Sequence, residues 1–338
     1  MWSKNLEQRV FRVAVVGTGK MGLLHSSILS TVPNVKVTAL CEKSGSMRRI
    51  LKKTLREVQI VDDVKKLSGL DLDAVFVTTP IPSHCSVVKA LIEAEVAGSL
   101  FIEKTLAANY AEAKEMCKLV DGSNGANMVG YLRRFCVTFG KAKDLLFKGA
   151  IGDTVSFAAY AYSSDFCGVE NKKAMTMSRG GVLKDLGCHA VDLALWFFGD
   201  LEVCSSKSAL ATTKNSKEHL NFSVESSRGV EGNCSVSWRM KDYRMPEVGF
   251  SIAGSRGSIQ VNDDRVELRV KEEEPMILHR QDLNDNVPFW LGLPEYYRED
   301  LYFVQSIAER RNAEPSFQSA SKVDQIIDQV EKRTDEKE

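Results

Sequence analysis

Phe11-Arg12-Val13-Ala14-Val15-Val16-Gly17-Thr18-Gly19-Lys20-Met21-Gly22 carries an apolar, β-branched run straight into a G-x-G-x-x-G loop. The run predicts a buried parallel strand, and Leu23 to Leu29 continues as an amphipathic helix that Pro33 ends. Glycines at this spacing arise by chance in many loops, so the flanking strand and helix carry the inference. Gly17 permits a tight turn, Gly19 lets the backbone approach a pyrophosphate, and Gly22 lets the helix pack closely on the strand. Thr18, Lys20 and Met21 complete this candidate phosphate loop, and the free N–H groups at the helix start favour an anion there.

A second predicted strand, Val35 to Cys41, delivers Glu42 about twenty residues after Gly22, the placement that lets a carboxylate accept hydrogen bonds from a ribose. This favours NAD. Lys43, Ser44, Arg48 and Arg49 follow at once and offer positive charge for a ribose 2′-phosphate, so NADP stays open.

The 338 residues exceed one ordinary compact core, and 43% of them are apolar. Lys plus Arg and Asp plus Glu balance at 45 each, so no net basic field draws the chain to nucleic acid or to an anionic membrane. Eight cysteines are scattered without a C-x-x-C pair, the usage of reduced thiols in a cytoplasmic protein. No signal-like core and no apolar run of about 20 residues is present, which predicts a cytosolic chain without a membrane span.

Further along, Leu72 to Thr79 reads as a buried strand broken by Pro80 and Pro82, Ser83 to Ile92 as a helix, and Ser99 to Ile102 as another strand. A helix over Tyr110 to Val120 and a strand over Asn127 to Tyr131 close the pattern. The rhythm predicts an α/β fold whose first domain, residues 1–128, is a doubly wound parallel sheet with ligand at the strands' C-terminal ends. From Thr154 the stretches Thr154 to Tyr160, Leu220 to Val224, Gly232 to Trp238 and Val248 to Ile252 alternate apolar and polar residues. They predict a second α/β domain, residues 129–338, with a large, mostly antiparallel sheet whose open face needs a cover such as another subunit. An amphipathic helix over Ser319 to Lys332 ends it.

Two segments offer chemistry. Phe101-Ile102-Glu103-Lys104 places a charged pair directly after an apolar strand, at the sheet edge that carries the glycine loop. A surface lysine at a strand end is the plain alternative. Gly180 to Gly199 reads as a helix apolar nearly all round, with Asp185, His189 and Asp192 at i, i+4 and i+7 as its polar stripe. Such a stripe either pairs internally or lines a site. Gly187 inside the helix costs about 1 kcal/mol against alanine, which makes sense if something approaches the backbone there. Cys188, His189 and Cys167 lack the usual ligand spacing, so no metal site is expected. His25, His219 and His279 read as satisfied or solvated imidazoles.

The glycine fingerprint, Thr79-Pro80 with His84, Glu103-Lys104 before Leu106, Gly130 to Phe135, Gly149-Ala150-Ile151-Gly152 and Asp185-Leu186-Gly187-Cys188-His189 occur in an order that resembles the Gfo/Idh/MocA family. The resemblance covers nearly the whole chain. It implies a Rossmann domain, an open-sheet domain through which subunits pair as homodimers or homotetramers, and NAD(P)-linked oxidation or reduction at a CH–OH group of a carbohydrate-like substrate, a sugar, polyol or nucleotide-linked sugar. By the same likeness Lys104 matches the lysine of a Glu-Lys-Pro motif, Asp185 and His189 match a D-x-x-x-H pair, and Arg133 matches an arginine near the substrate. Thr79, Pro80, His84 and Glu103 join Gly17, Thr18, Gly19, Lys20, Met21, Gly22, Glu42 and Lys43 as cofactor-side residues. Here Thr105 replaces the motif's proline, so the Lys104-Thr105 bond is expected to be trans or, if cis, costly.

Hydride transfer from a carbinol needs a base for the hydroxyl proton. His189 fits that role, because an imidazole is part neutral near neutral pH. Lys104 would stabilise negative charge on the same oxygen, and Asp185 would orient His189 or hold a neighbouring hydroxyl. Two other readings stand beside this one: an enzyme that keeps NAD bound and uses transient oxidation for elimination or glycoside cleavage, and a non-catalytic nucleotide sensor.

Overall fold

The computed structural model describes residues 9–165, 167, 180–208, 218–289 and 291–335. The sequence also offers the loop-like stretch from Ser163 to Arg179 for substrate selection, and its Glu170, Asn171, Lys172 and Lys173 lie outside the described residues. The chain divides into two units, Met1–Tyr131 with Glu295–Ser321, and Leu132–Pro294 with Lys322–Glu338.

In the first unit β1 (Phe11–Val16), β2 (Val35–Cys41), β3 (Gln59–Val61), β4 (Ala74–Val77), β5 (Ser99–Glu103) and β6 (Asn127–Gly130) form a sheet in the order β3-β2-β1-β4-β5-β6. Every pairing is parallel. This is the doubly wound Rossmann order, whose reversal falls between β1 and β4. All residues of β4 and β5 are buried, as a sheet covered on both faces requires. The helices α1 (Lys20–Leu29), α2 (Gly45–Thr54), α3 (His84–Glu93) and α4 (Tyr110–Val120) provide the cover. At the start of α4 the Asn109 side chain accepts the Glu112 N–H at 3.0 Å, satisfying one orphan donor.

Glu295–Ser321 was expected in the second domain, but it lies with the first unit. Its helix α7 (Glu295–Ala308) packs on α1, and Phe303 meets the ring of Phe76 edge-on with centroids 5.5 Å apart. Beyond it, Val129 donates its N–H to Pro315 at 2.9 Å and Phe317 donates its N–H to the Asn127 side chain at 2.8 Å. These bonds continue the hydrogen bonding of β6 with backbone from far along the chain, a pairing invisible to local periodicity.

The second unit holds β7 (Thr154–Tyr162), β8 (Leu201–Ser208), β9 (His219–Ser226), β10 (Glu231–Ser237), β11 (Glu247–Gly254), β12 (Gly257–Asn262), β13 (Arg265–Val270) and β14 (Met276–His279). They lie in the order β14-β13-β12-β11-β7-β10-β9-β8, with β7 and β10 parallel and the other neighbours antiparallel. One face is packed under α5 (Val137–Phe147) and α6 (Cys188–Phe198), where Phe157 stacks on Phe198 at 4.4 Å. The other face presents partly or fully exposed Ala158, Tyr160, Asn233, Ser251 and Gln260. Ahead of α6, Leu183–Gly187 winds as a π turn, and α8 (Phe317–Asp335) closes the described chain. Among the described residues no helix is long and apolar enough to cross a membrane.

Candidate active site

A cleft of about 900 Å³ opens at the C-terminal edge of the first sheet, lined by the glycine loop, the Cys41-Glu42-Lys43 end of β2, Asp62 to Lys65, and the segment from Thr78 to Ala90. Its size suits a cofactor-scale ligand. Gly17 adopts φ +92°, and a Cβ there would lie 2.9 Å from the Thr79 side chain. At Gly22 a Cβ would fall 1.9 Å from the Gly17 carbonyl oxygen, so the helix touches the loop backbone directly. Beside Gly19, its own chain neighbours apart, nothing among the described residues lies within 4 Å of such a Cβ. The loop is therefore closed on the protein side and open at Gly19. It feeds α1, which starts without a side-chain cap and without an acidic residue in its first turn. Backbone N–H groups are thus presented in the way a pyrophosphate uses them.

Glu42 is tied into this cradle. One carboxylate oxygen accepts the Thr18 N–H at 3.0 Å and the Thr18 hydroxyl at 2.6 Å, and the other accepts the Ser44 N–H at 2.7 Å. Partial burial works against ionisation, but these hydrogen bonds and the Arg48 charge hold the carboxyl below its ordinary 4.5. Arg48 donates to the carbonyls of Glu42 and Lys43 at 2.9 and 2.6 Å, so it serves the turn after β2. Asp62 and Asp63 add negative charge to the cleft wall near Lys43. This carboxylate-rich end suits ribose hydroxyls better than a 2′-phosphate.

At the end of β5 the Lys104-Thr105 peptide is cis, so the trans alternative is not taken. His84 is fully buried behind the cleft. Its Nε2 faces the Thr79 carbonyl at 2.8 Å, and its Nδ1 faces those of Thr105 and Leu106 at 3.0 and 3.2 Å. Burial pushes its pKa below 6.5 although the carbonyls favour the cation. His84 thereby joins the turn after β4 to the segment after Lys104, while Thr79 and Pro80 reach the cleft itself.

Glu103 is also buried, and one oxygen accepts the Lys104 N–H at 3.1 Å. Its other oxygen lies 2.9 Å from His25 Nε2, and His25 Nδ1 lies 2.8 Å from Asp300 on α7. Burial opposes a charged imidazole, yet Asp300 and then Glu103 raise His25 well above 6.5. In sequence His25 reads as a satisfied or solvated imidazole, and nothing points to Asp300. The available signal was the spacing of His25 from Gly22, which turns it toward the sheet where a polar group must have partners.

In the second unit His189 is buried on α6, 5% exposed, and Asp185 precedes it in the π turn, where the helix is wider than an α-helix. The unbroken α-helical stripe expected from Asp185 to Asp192 is therefore interrupted. Asp192 takes the structural option: both its oxygens accept Arg134 Nε, at 3.1 and 2.9 Å, and Nη2 adds a bond of 2.7 Å. Burial and the Arg134 charge push nearby Lys143 down to about 8, and its ammonium sits 4.0 Å over the Trp196 ring. Gly187 is crowded by protein: a Cβ would lie 2.8 Å from Leu183 Cδ1 and 3.1 Å from Val236 Cγ2. The approach expected at this glycine is that of β10. Arg133 forms a bidentate pair with Asp263 at 3.0 and 3.2 Å and donates to the Pro246 carbonyl at 3.2 Å. Asp263 was not visible as its partner in the sequence.

Residues 11–131 match the family model described as an oxidoreductase family with an NAD-binding Rossmann fold, and residues 139–260 match the GFO/IDH/MocA C-terminal domain. D-apiose dehydrogenase of Paraburkholderia graminis is 23% identical over 78% of this chain and 70% of its own length. The NAD(+)-dependent scyllo-inositol 2-dehydrogenase of Bacillus subtilis is 26% identical over 56% of this chain, a stretch spanning only 54% of the relative. Levoglucosan dehydrogenase, solved with NADH and levoglucosan, superposes with a TM-score of 0.86 at 19% identity, covering 97% of this chain and 98% of the other. That likeness extends the shared fold over both units.

Proposed function

Because the chain belongs to the Gfo/Idh/MocA family of oxidoreductases, we propose that it is an NAD-dependent dehydrogenase that interconverts a hydroxyl and a keto carbon on a sugar or cyclic polyol. The observation that carries the reading is the glycine-loop cleft with Glu42 bound to Thr18 and Ser44. The loop N–H groups would hold the pyrophosphate and Glu42 the adenosine ribose, and bound there the nicotinamide supplies the hydride acceptor. Relatives named for inositol, apiose and glucoside substrates support the substrate class.

The proposed chemistry falls to three side chains, with Arg133 in support. His189 takes the hydroxyl proton during oxidation and returns it during reduction. Lys104, at the end of β5, donates a hydrogen bond to the oxygen that gains negative charge. Asp185 orients the imidazole or fixes a neighbouring hydroxyl, and Arg133, held by Asp263, supports the substrate side. We assign the exposed face of the second sheet to pairing of subunits; light scattering would read this as a dimer or tetramer.

The direct test incubates the protein with NAD or NADP and a panel of myo-inositol, scyllo-inositol, levoglucosan, D-apiose and simple glucosides, following the absorbance of reduced nicotinamide. Reduction with NAD is the expected result. Product formed without net reduction would replace this reading with transient oxidation on a retained cofactor, and binding without any turnover would leave a nucleotide sensor.

A further inference from the structure

His25 lies between two carboxylates inside the first unit, with Asp300 at 2.8 Å from Nδ1 and Glu103 at 2.9 Å from Nε2. Its side chain is fully buried, as is that of Asp300. The surroundings are aromatic: Phe101, Tyr296 and Phe76 place ring centroids 5.2, 5.8 and 5.9 Å from the imidazole. A neutral imidazole has one N–H, so two contacts with ionised carboxylates would set a bare nitrogen lone pair against an anion. Both contacts become hydrogen bonds only when two protons are shared over the three groups. That holds for an imidazolium between two carboxylates and for a neutral imidazole flanked by one carboxyl and one carboxylate. Either arrangement carries one net negative charge.

Cohesion alone is a poor account of this trio. Replacing buried ionic groups by apolar ones of similar volume is often neutral or stabilising, and the aromatic surroundings would accept such a replacement. Asp300 Oδ2 is also buried without a hydrogen-bond partner among the described residues, a cost a purely packing role would not keep. What the trio does reach is the end of β5: Glu103 Oε1 faces His25 while Oε2 accepts the Lys104 N–H at 3.1 Å. Fixing Glu103 therefore fixes the Lys104 backbone nitrogen, one bond from the Cα that carries the side chain. Asp300 reaches it only because α7 packs on α1, so the late segment of the chain sets the direction of a residue nearly two hundred positions earlier.

We propose that Asp300, His25 and Glu103 form a buried positioning relay that aims Lys104, with His25 and Asp300 acting through Glu103 and never touching substrate. The proposal rests on the reading of Lys104 as the residue that stabilises the substrate oxygen. Misplacing such a group by about 1 Å is enough to cost about a hundredfold in rate.

The test is a double-mutant cycle. Asp300→Asn keeps the side-chain volume and removes the charge; if that variant fails to fold, His25→Gln interrupts the same relay at its centre. In the Lys104 protein, Asp300→Asn is expected to lower kcat about ten- to a hundredfold on the fastest panel substrate while leaving NAD affinity, read by fluorescence quenching, within about twofold. In a Lys104→Ala background the same substitution should change kcat by less than about twofold, because the residue it aims is gone. Equal losses in both backgrounds, or no loss in either, overturn the relay. Should Lys104→Ala itself turn over like the parent, the catalytic reading of Lys104 fails and the relay is decided without turnover. Acetic anhydride labelling of Lys104, followed by mass spectrometry, must then change rate in Asp300→Asn, and an unchanged rate overturns the proposal.

Discussion

In the first unit, Gly22 meets the Gly17 carbonyl oxygen, so helix and loop are in contact through main chain; in the second, Gly187 meets the side chains of Leu183 and Val236. The same contrast runs through both regions. The cofactor cleft is set by a turn, a helix start and a carboxylate bonded to its immediate neighbours. The helix that carries His189 is set by side chains whose partners lie far away in sequence, such as Arg134 for Asp192. Geometry imposed by main chain is local and repeats as a motif. Geometry imposed by side chains needs the whole fold.

If His189 supplies the base, His189→Ala should lower kcat by about a hundred- to ten-thousandfold while NAD titration stays unchanged. A loss of NAD affinity of similar size would break the division of labour between the two regions. Next in size is the buried ion pair. Asp192→Ala leaves the Arg134 guanidinium, about 10% exposed, without its carboxylate, and should cost about 3–5 kcal/mol in urea unfolding. Asp185→Ala, at a half-buried position in the π turn, should cost far less stability and act mainly on turnover.

The two glycines sharpen the comparison further. Gly22→Ala puts a methyl against a carbonyl that cannot move without opening the loop, so destabilisation at the top of about 1–3 kcal/mol is expected, together with weaker NAD binding. Gly187→Ala meets the tip of Leu183 and a valine methyl, which can give way, and gains about 1 kcal/mol of helix propensity. Its measured unfolding free energy should lie within about 1 kcal/mol of the parent. A larger loss would show that β10 is as unyielding as the loop.

These contrasts explain what could be read before the structure. The strand into Gly17, the acidic residue at the end of β2 and the alternating segments of β7, β9, β10 and β11 were legible because a buried parallel strand, a glycine turn and a half-covered strand each leave a short periodic trace. Strands β3, β8 and β12 to β14 were not read from the sequence; β3 and β14 have only three and four residues, and β14 alternates only between half-buried and exposed residues. The sequence put Glu295 in the second domain, whereas α7 groups with the first unit through Phe303 against Phe76 of β4 and Asp300 against His25 of α1, contacts with no local signature. Arg133 and Arg134 look alike in sequence, and only their partners, Asp263 and Asp192, tell them apart. His84 matched a cofactor-side pattern, yet it serves from behind, through backbone carbonyls.

A further effect probes the part of the cleft that does depend on a side chain. Glu42→Gln keeps a carbonyl oxygen for one Thr18 bond but loses the charge that Thr18 and Ser44 share, and should weaken NAD about tenfold while narrowing discrimination against NADP. The pH dependence has a fixed sign. A carboxyl whose folded pKa lies below its unfolded value contributes fully above the unfolded value, here 4.5, and loses that contribution as pH falls through the lower folded one. Because Glu42 stays ionised in the folded protein above 4.5, the NAD affinity attributable to its charge should be flat from neutral pH to about 5 and decline only below it, with Glu42→Gln showing no such decline. A parent affinity that already falls between pH 7 and 5 would place the titrating group elsewhere, and His84, whose burial depresses its pKa, is the residue of this unit that would then have to be replaced and measured.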